Sequence, residues 1–231
     1  MLCLHVRAPF AAFRTFAAGS FRPSAPFITY SAAYGLFMNI AGREMRAPDD
    51  GKSAMTRIAT GLPVVELALG LVGAPPTRHG VFQQLHNYPV GSSGKEHAKF
   101  TYGNKHNITP ARREFLRGLN ALIAVRGDEA LETDIRAGLD GERPRYGLPF
   151  LGDNSFLPDR IEIAPGAAEA LWLEPAEGRV LDDEEGEAMR LTLTIDRADM
   201  ARTRSGLFAP ARRPRALEDV EAASWVELGY A

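Results

Sequence analysis

Cysteine is almost missing from this chain: Cys3 is the one such residue among 231. An internal disulfide is therefore excluded, and Cys3, set among Leu2, Leu4 and Val6, has the context of a small buried thiol. The expected compartment is a reducing cytoplasm. No apolar run approaches the roughly 20 residues that a bilayer-spanning helix needs, so membrane integration is not expected. Neither G-x-G-x-x-G nor G-x-x-x-x-G-K-[ST] occurs, which removes support for a nucleotide cofactor, and no G-x-S-x-G elbow marks a serine nucleophile. Metal-ligand spacing is missing too. His79, His86, His97 and His106 lie 7, 11 and 9 residues apart with no cysteine nearby, so neither a metal nor another cofactor is expected.

Lysine is absent from the whole second half, and that absence leads to what is present. Residues 1–118 hold 14 Lys and Arg against 6 Asp and Glu, whereas residues 119–231 hold 13 against 23. The formal net charge of −2 conceals halves of +8 and −10. All four lysines (Lys52, Lys95, Lys99, Lys105) and all five histidines fall in the first half, where Glu44 is the first acid. A field so polarised is able to hold a phosphate backbone against one surface. The competing reading is charge scattered on a solvated face.

The order of elements is legible from periodicity. Residues 2–7 alternate, with Leu2, Leu4 and Val6 on one face and Cys3, His5 and Arg7 on the other, as in a central or near-central strand. The arginines of the N-terminal stretch resemble those of a transit peptide, but Pro9, Pro23 and Pro26 would break the amphipathic helix such a peptide needs. Ser31 is a good N-cap for a helix reaching about residue 45, with Tyr34, Phe37, Met38 and Ala41 as its buried stripe. Val65, Leu67, Leu69 and Leu71 mark a second strand within 63–72. Residues 76–112 are polar, aromatic and basic around Gly91-Ser92-Ser93-Gly94, the pattern of an extended hairpin that projects from the body. A third core strand is expected over 119–125, a helix over 128–139 closed by Gly141, and a last strand over 160–163. The order β-α-β-hairpin-β-α-β is that of an α+β, ferredoxin-like fold occupying residues 1–163. Residues 164–231 read as a small β-rich appendage with strands near 189–195 and 224–228. The acidic run 182–187 reads as a solvated turn.

Two constellations point to chemistry. The hairpin interleaves Lys95, Lys99, Lys105, Arg112, Arg113 and Arg117 with His86, Tyr88, Phe100, Tyr102 and His106. Cations neutralise phosphates and rings stack unpaired bases, so the combination suits single-stranded nucleic acid; a hairpin packed on a protein partner is the alternative. The loop 146–154 offers Gly147 and Gly152, whose backbone N–H groups would close on phosphate oxygens, and Asn154, which would read a base edge or ribose hydroxyl. Tyr30, Lys105 and His106 also supply the residue types of a metal-independent ribonuclease: a base, an acid and a cation for the phosphorane.

Residues 4–14, the helix entry Thr29-Tyr30-Ser31-Ala32-Ala33-Tyr34-Gly35-Leu36, Gln84-Leu85-His86-Asn87-Tyr88-Pro89, Gly103-Asn104-Lys105-His106-Asn107-Ile108-Thr109-Pro110 and the loop 146–154 together resemble one family. It is the CRISPR-associated RAMP subunit that binds the five-prime handle of the guide RNA in type I Cascade, in its myxobacterial-type variant. The resemblance implies a ferredoxin-like (RRM-like) body with a projecting thumb, and as partners the guide RNA, the backbone and large subunits, and target DNA nearby. It implies that Arg14, Arg22, Lys99, Lys105, Gly147, Gly152 and Asn154 hold the handle, and that Tyr102 and His106 stack on or hydrogen-bond to its bases. Because the rest of the chain resembles a non-cutting branch, the expected role is non-catalytic RNA binding. Processing of precursor guide RNA by Tyr30, Lys105 and His106 is the alternative, and a protein-protein adaptor is the third.

Overall fold

A computed structural model describes residues 1–15, 21–48, 56–86, 108–178 and 187–230. Strand β1 (Leu2–Ala11), the short β2 (Phe21–Arg22), helix α1 (Tyr30–Ile40), β3 (Val65–Leu71), β4 (Thr77–His86) and β5 (Ile108–Arg126) come first. Helix α2 (Glu129–Leu139), β6 (Arg160–Ile163), β7 (Glu169–Pro175), β8 (Met189–Thr194), β9 (Arg204–Pro210), β10 (Arg215–Ala216) and β11 (Val226–Leu228) complete the chain. The sheet runs β6-β1-β5-β3-β7-β9-β8. Within it β6, β1, β5 and β3 are neighbours, each antiparallel to the next. Helix α1 joins β1 to β3, and α2 joins β5 to β6.

Alternating side chains divide the core between the two faces of this sheet. Leu2, Leu4, Val6, Leu67, Leu69, Ala121, Ile123 and Val125 pack with Tyr30, Tyr34, Phe37, Ile40, Leu131 and Ile135 of the helices. The intervening positions Cys3, Ala68, Leu122 and Ala124 face Trp172, Leu217 and Trp225 of the C-terminal third. Alternation alone produces both sets, since a strand covered on both sides shows no polar face.

Helix α1 begins one cap earlier than its sequence suggests. Thr29, not Ser31, is the N-cap, its Oγ1 accepting from the Ala32 amide at 3.2 Å. The helix also stops at Ile40 rather than near 45, because Gly42 takes φ +68°. The Arg43 amide then donates to Met38 O at 2.9 Å and the Gly42 amide to Asn39 O at 3.1 Å, a left-handed cap that satisfies the last carbonyls. Helix α2 ends alike at Gly141 (φ +80°), as expected, after starting on Asp128, whose carboxylate accepts from the Leu131 amide at 2.7 Å.

Two other expectations are revised. The hairpin's returning arm and the third core strand are one continuous element, the 19-residue β5. Its first half pairs with β4 from His86↔Ile108 to Thr77↔Arg117, and its second half with β3. The described residues of 164–231 supply five strands; β7 and β11 bond directly to β3, and Leu173, Leu191, Phe208 and Leu228 join the helix-side core. Periodicity missed β7, β9 and β10, whose register is dictated by partners distant in sequence. Among the described residues no helix is long and apolar enough to cross a membrane, and no cluster of three or more His, Cys, Asp or Glu is placed to hold a metal ion.

Candidate nucleic-acid interface

The site is prepared by a kink shared by β1 and β5. Along β1 the helix-side core takes Leu2, Leu4, Val6 and Ala8, then Ala11. Along β5 it takes Leu116 and then Leu119, Ala121 and Ile123. Parity switches at Pro9 in one strand and at Gly118, with φ +78°, in the other. Both fall between the register pairs Ala8↔Leu119 and Phe10↔Arg117. Proline has no amide proton to give the ladder and a left-handed residue reverses the pleat, which is why these two residue types stand there. Past the kink, Phe10 and Phe115 turn to the face opposite the helix-side core, their rings 5.6 Å apart. His79 stacks on Phe115 at 5.7 Å and Phe156 lies 6.1 Å from it.

On this aromatic base three arginines meet. β2 pairs in parallel with β5, bringing Arg22 opposite Arg113, while the Arg14↔Ser24 bridge folds the first loop alongside. Arg113 is the most enclosed of the three. Its guanidinium donates to Asp153 and, at 3.2 Å, to Gln83 Oε1, and sits 5.7 Å from the Phe156 ring centre. Burial, then the positive charges of Arg14 and Arg22, shift Arg113 below the usual arginine value. Arg14 is exposed and Arg22 half-buried, and neither forms an ion pair among the described residues. The arrangement concentrates positive charge, neutralises one member internally, and leaves Arg14 and Arg22 in no ion pair among the described residues, which suits a polyanion.

The loop 146–158 closes the site from above. Asp153 Oδ1 accepts from the Ser155 amide at 2.9 Å while its other oxygen takes Arg113, so the carboxylate both shapes the turn and ties it to β5. Gly152 (φ +79°) presses on the end of β1: a Cβ there would stand 1.8 Å from Ala12 O. The Ala12 amide donates to Leu151 O at 3.0 Å beside it. Gly147 has open space around its Cα, and its carbonyl accepts from Asn39 Nδ2 at 3.2 Å. Asn154 is exposed at the turn's tip.

Of the residues picked from sequence, Arg14, Arg22, Arg113 and Gly152 converge at this rim, and Arg112 occupies the opposite face of β5, its guanidinium 5.5 Å from the Phe21 ring centre. Gly147 sits nearer α1, at Asn39. Lys99, Tyr102, Lys105 and His106 lie outside the described residues. Tyr30 is corrected: it is 0% exposed, its ring packs 4.8 Å from Phe208, and burial pushes its phenol well above the usual value. A hydroxyl sealed in the core cannot take a proton from an RNA ribose, so the Tyr30, Lys105 and His106 set loses its first member. Sequence reasoning missed Asp153 and Phe21, both of which acquire meaning only through their partners Arg113 and Arg112.

An α+β chain whose antiparallel sheet carries a basic, aromatic rim is the class that these elements define. Residues 1–204 match the family described as CRISPR-associated protein (Cas_Cas5), and the chain belongs to that family. A chain from the solved structure titled "CRISPR RNA-guided surveillance complex" is similar at 15% identity and TM-score 0.56, over 92% of this chain and 90% of that one. Another, titled "Crystal structure of Cas protein", aligns over 94% of both chains at 17% identity and TM-score 0.43. No curated protein matches.

Proposed function

We propose that this protein is a non-catalytic guide-RNA-binding subunit of a type I CRISPR effector, Cascade, capping the five-prime handle and joining the backbone and large subunits. Membership of the family supports an effector subunit. The observation that carries the RNA assignment is the meeting of Arg14, Arg22 and Arg113 at one rim, with Arg14 and Arg22 in no ion pair among the described residues. The strand order β6-β1-β5-β3 with its two crossing helices supports a ferredoxin-like RAMP body. In this reading β4 and the first half of β5 are the base of a thumb spanning about 76–112, on which Lys99, Tyr102, Lys105 and His106 extend the grip, and Gly147, Gly152 and Asn154 border the handle. Target DNA then lies nearby in the assembled particle, in the cytoplasm.

The test is binding of the purified chain to RNA bearing the native handle and to the same RNA with the handle scrambled, across a salt series. Preference for the handle, with affinity falling as salt rises, is expected. Equal affinity for both RNAs with no salt dependence overturns the assignment. The enclosed Tyr30 favours this reading over RNA cleavage.

A further inference from the structure

The kink at Pro9 and Gly118 gathers four rings on the face that carries the arginine rim. Phe10 of β1 stands 6.2 Å from Phe156 of the loop and 5.6 Å from Phe115 of β5, and Phe115 stands 5.7 Å from His79 of β4. Phe115 and Phe156 are half-buried and make the floor, whereas Phe10 is 42% exposed and His79 is exposed as well. The His79 ring lies within 24° of the Phe115 plane, and its Nε2 is hydrogen-bonded to Thr77 Oγ1 at 3.0 Å. Both exposed rings are held in place by neighbours. On its far side β4 has no strand beside it among the described residues, so the His79 ring borders an open edge.

The charges of the same face select the partner. Residues directly opposite one another share a face. Register puts Arg117 opposite both Phe10 and Thr77, His79 opposite Phe115, and Arg22 opposite Arg113, so rings and arginines stand together. Arg14, Arg22 and Arg117 form no ion pair among the described residues. Past the kink no Asp or Glu of β1, β2, β4 or β5 stands on this face among the described residues. Asp153, which reaches in from the loop, is engaged by Arg113. Across the kink Glu162 is engaged by Arg160 at 3.4 Å and lies 3.6 Å from His5 Nδ1. The face therefore asks for an anion that also has flat, apolar surfaces, and an unpaired nucleic-acid strand supplies both.

We propose that Phe10 and His79 are base-stacking residues for single-stranded RNA, each taking one splayed base, with Arg117 holding the phosphate between the two. Arg117 is placed for that task, directly opposite Phe10 and diagonal to His79 across the sheet. The proposal rests on the RNA-binding reading above and names the side chains that meet bases rather than phosphates.

The experiment uses the full chain and single-stranded oligoribonucleotides carrying 2-aminopurine, whose fluorescence falls on stacking, at successive positions. Phe10→Leu and His79→Leu remove a flat face and keep apolar bulk. Each is expected to weaken binding roughly 5- to 150-fold, the range for loss of one base stack, and to abolish the quench at one position while leaving the salt slope unchanged. The two positions should be adjacent. Phe10→Tyr and His79→Tyr keep a ring and keep the quench. Arg117→Gln lowers the slope of log affinity against log salt by about 0.7 and leaves the quench in place. His79 is exposed, so His79→Leu carries the test even where Phe10→Leu lowers stability. Phe82→Leu, on the opposite face, is the control and is expected to bind as the wild type does; a loss equal to those of Phe10→Leu and His79→Leu overturns the assignment. A full quench at every position in both of those variants overturns it too, but leaves RNA binding standing. Failure of the wild-type chain to bind any of the oligonucleotides overturns the underlying reading instead. Loss of assembly with the other effector subunits in His79→Leu, with quenching intact, overturns the stacking role and assigns the rings to a protein partner.

Discussion

Gly70 of β3 lies directly beneath Trp172 of β7: a Cβ on Gly70 would come within 2.6 Å of Ala170 Cβ and 3.1 Å of the indole Cε3. The same two residues are register partners, so the bare backbone at Gly70 is what admits the C-terminal third onto the sheet. Trp172 Nε1 completes the fit by donating to Arg215 O at 2.9 Å. Gly70→Ala is expected to destabilise the protein by about 1–3 kcal/mol, the usual penalty for overpacking, with a red shift in tryptophan emission. Urea unfolding followed by fluorescence reads both.

The Arg113–Asp153 pair yields a second prediction. Asp153 is 9% exposed and the Arg113 side chain 14%, so removing the carboxylate leaves an enclosed cation facing Arg14 and Arg22. Asp153→Ala is expected to destabilise by about 3 kcal/mol, at the low end for breaking a buried pair because the site retains some solvent. Replacing both residues, Arg113→Met with Asp153→Ala, recovers part of that loss. A thermodynamic cycle by chemical denaturation decides it, and strictly additive single effects would contradict the pairing.

The two loop glycines differ sharply. Gly152→Ala requires both a left-handed alanine and a Cβ inside the Ala12 carbonyl, so loss of the folded loop and more than about 3 kcal/mol are expected. Gly147→Ala meets empty space at an ordinary backbone angle and is expected to change stability by no more than about 0.5 kcal/mol. Thermal melts of the two variants side by side test the contrast.

Alkaline pH is expected to weaken the fold. Burial pushes the Cys3 thiol up from 9.0 to about 12. The unfolded thiol ionises near 9 while the folded one remains neutral, so this contribution is complete below pH 9 and is lost progressively as pH rises towards 12. Tyr30 and Tyr34, whose phenols burial also holds neutral, act in the same direction above their ordinary value of 10.0. Cys3→Ala should flatten the decline between pH 9 and 12. In the native wild type, thiol reagents at about pH 8 should label Cys3 only after urea is added.

RNA binding itself should respond by charge. Arg14→Gln and Arg22→Gln are each expected to reduce the slope of log affinity against log salt by about 0.7, the counterion release of one single-strand phosphate. Filter binding across a salt series measures it. Unchanged slopes in both variants would place the phosphates elsewhere.

Much of the fold was legible because its signals are local. Alternation in residues 2–7 and 65–71, the Asp128 cap, Gly141 and the strand 160–163 all depend on neighbours within a few positions. The ends of helix α1 are not fixed by local signals: Ser31 and Thr29 are equally good caps in sequence, and Gly42 ends the helix by its left-handed φ of +68°. The basic surface was legible as composition, since Arg14, Arg22, Arg112 and Arg113 lie in an acid-poor half.

Sequence alone determined the strands 2–7, 65–71 and 160–163, the helix from Asp128 to Gly141 and which half of the chain is cationic, because periodicity, caps and charge are local along the backbone. Tertiary structure alone decided that Tyr30 is sealed under Phe208, that Asp153 neutralises Arg113, that a kink at Pro9 and Gly118 turns Phe10 and Phe115 over, and that Phe21, Arg112 and Phe82 align. Each of those depends on strand register, which is set by contacts between residues tens of positions apart and leaves no mark in any single stretch.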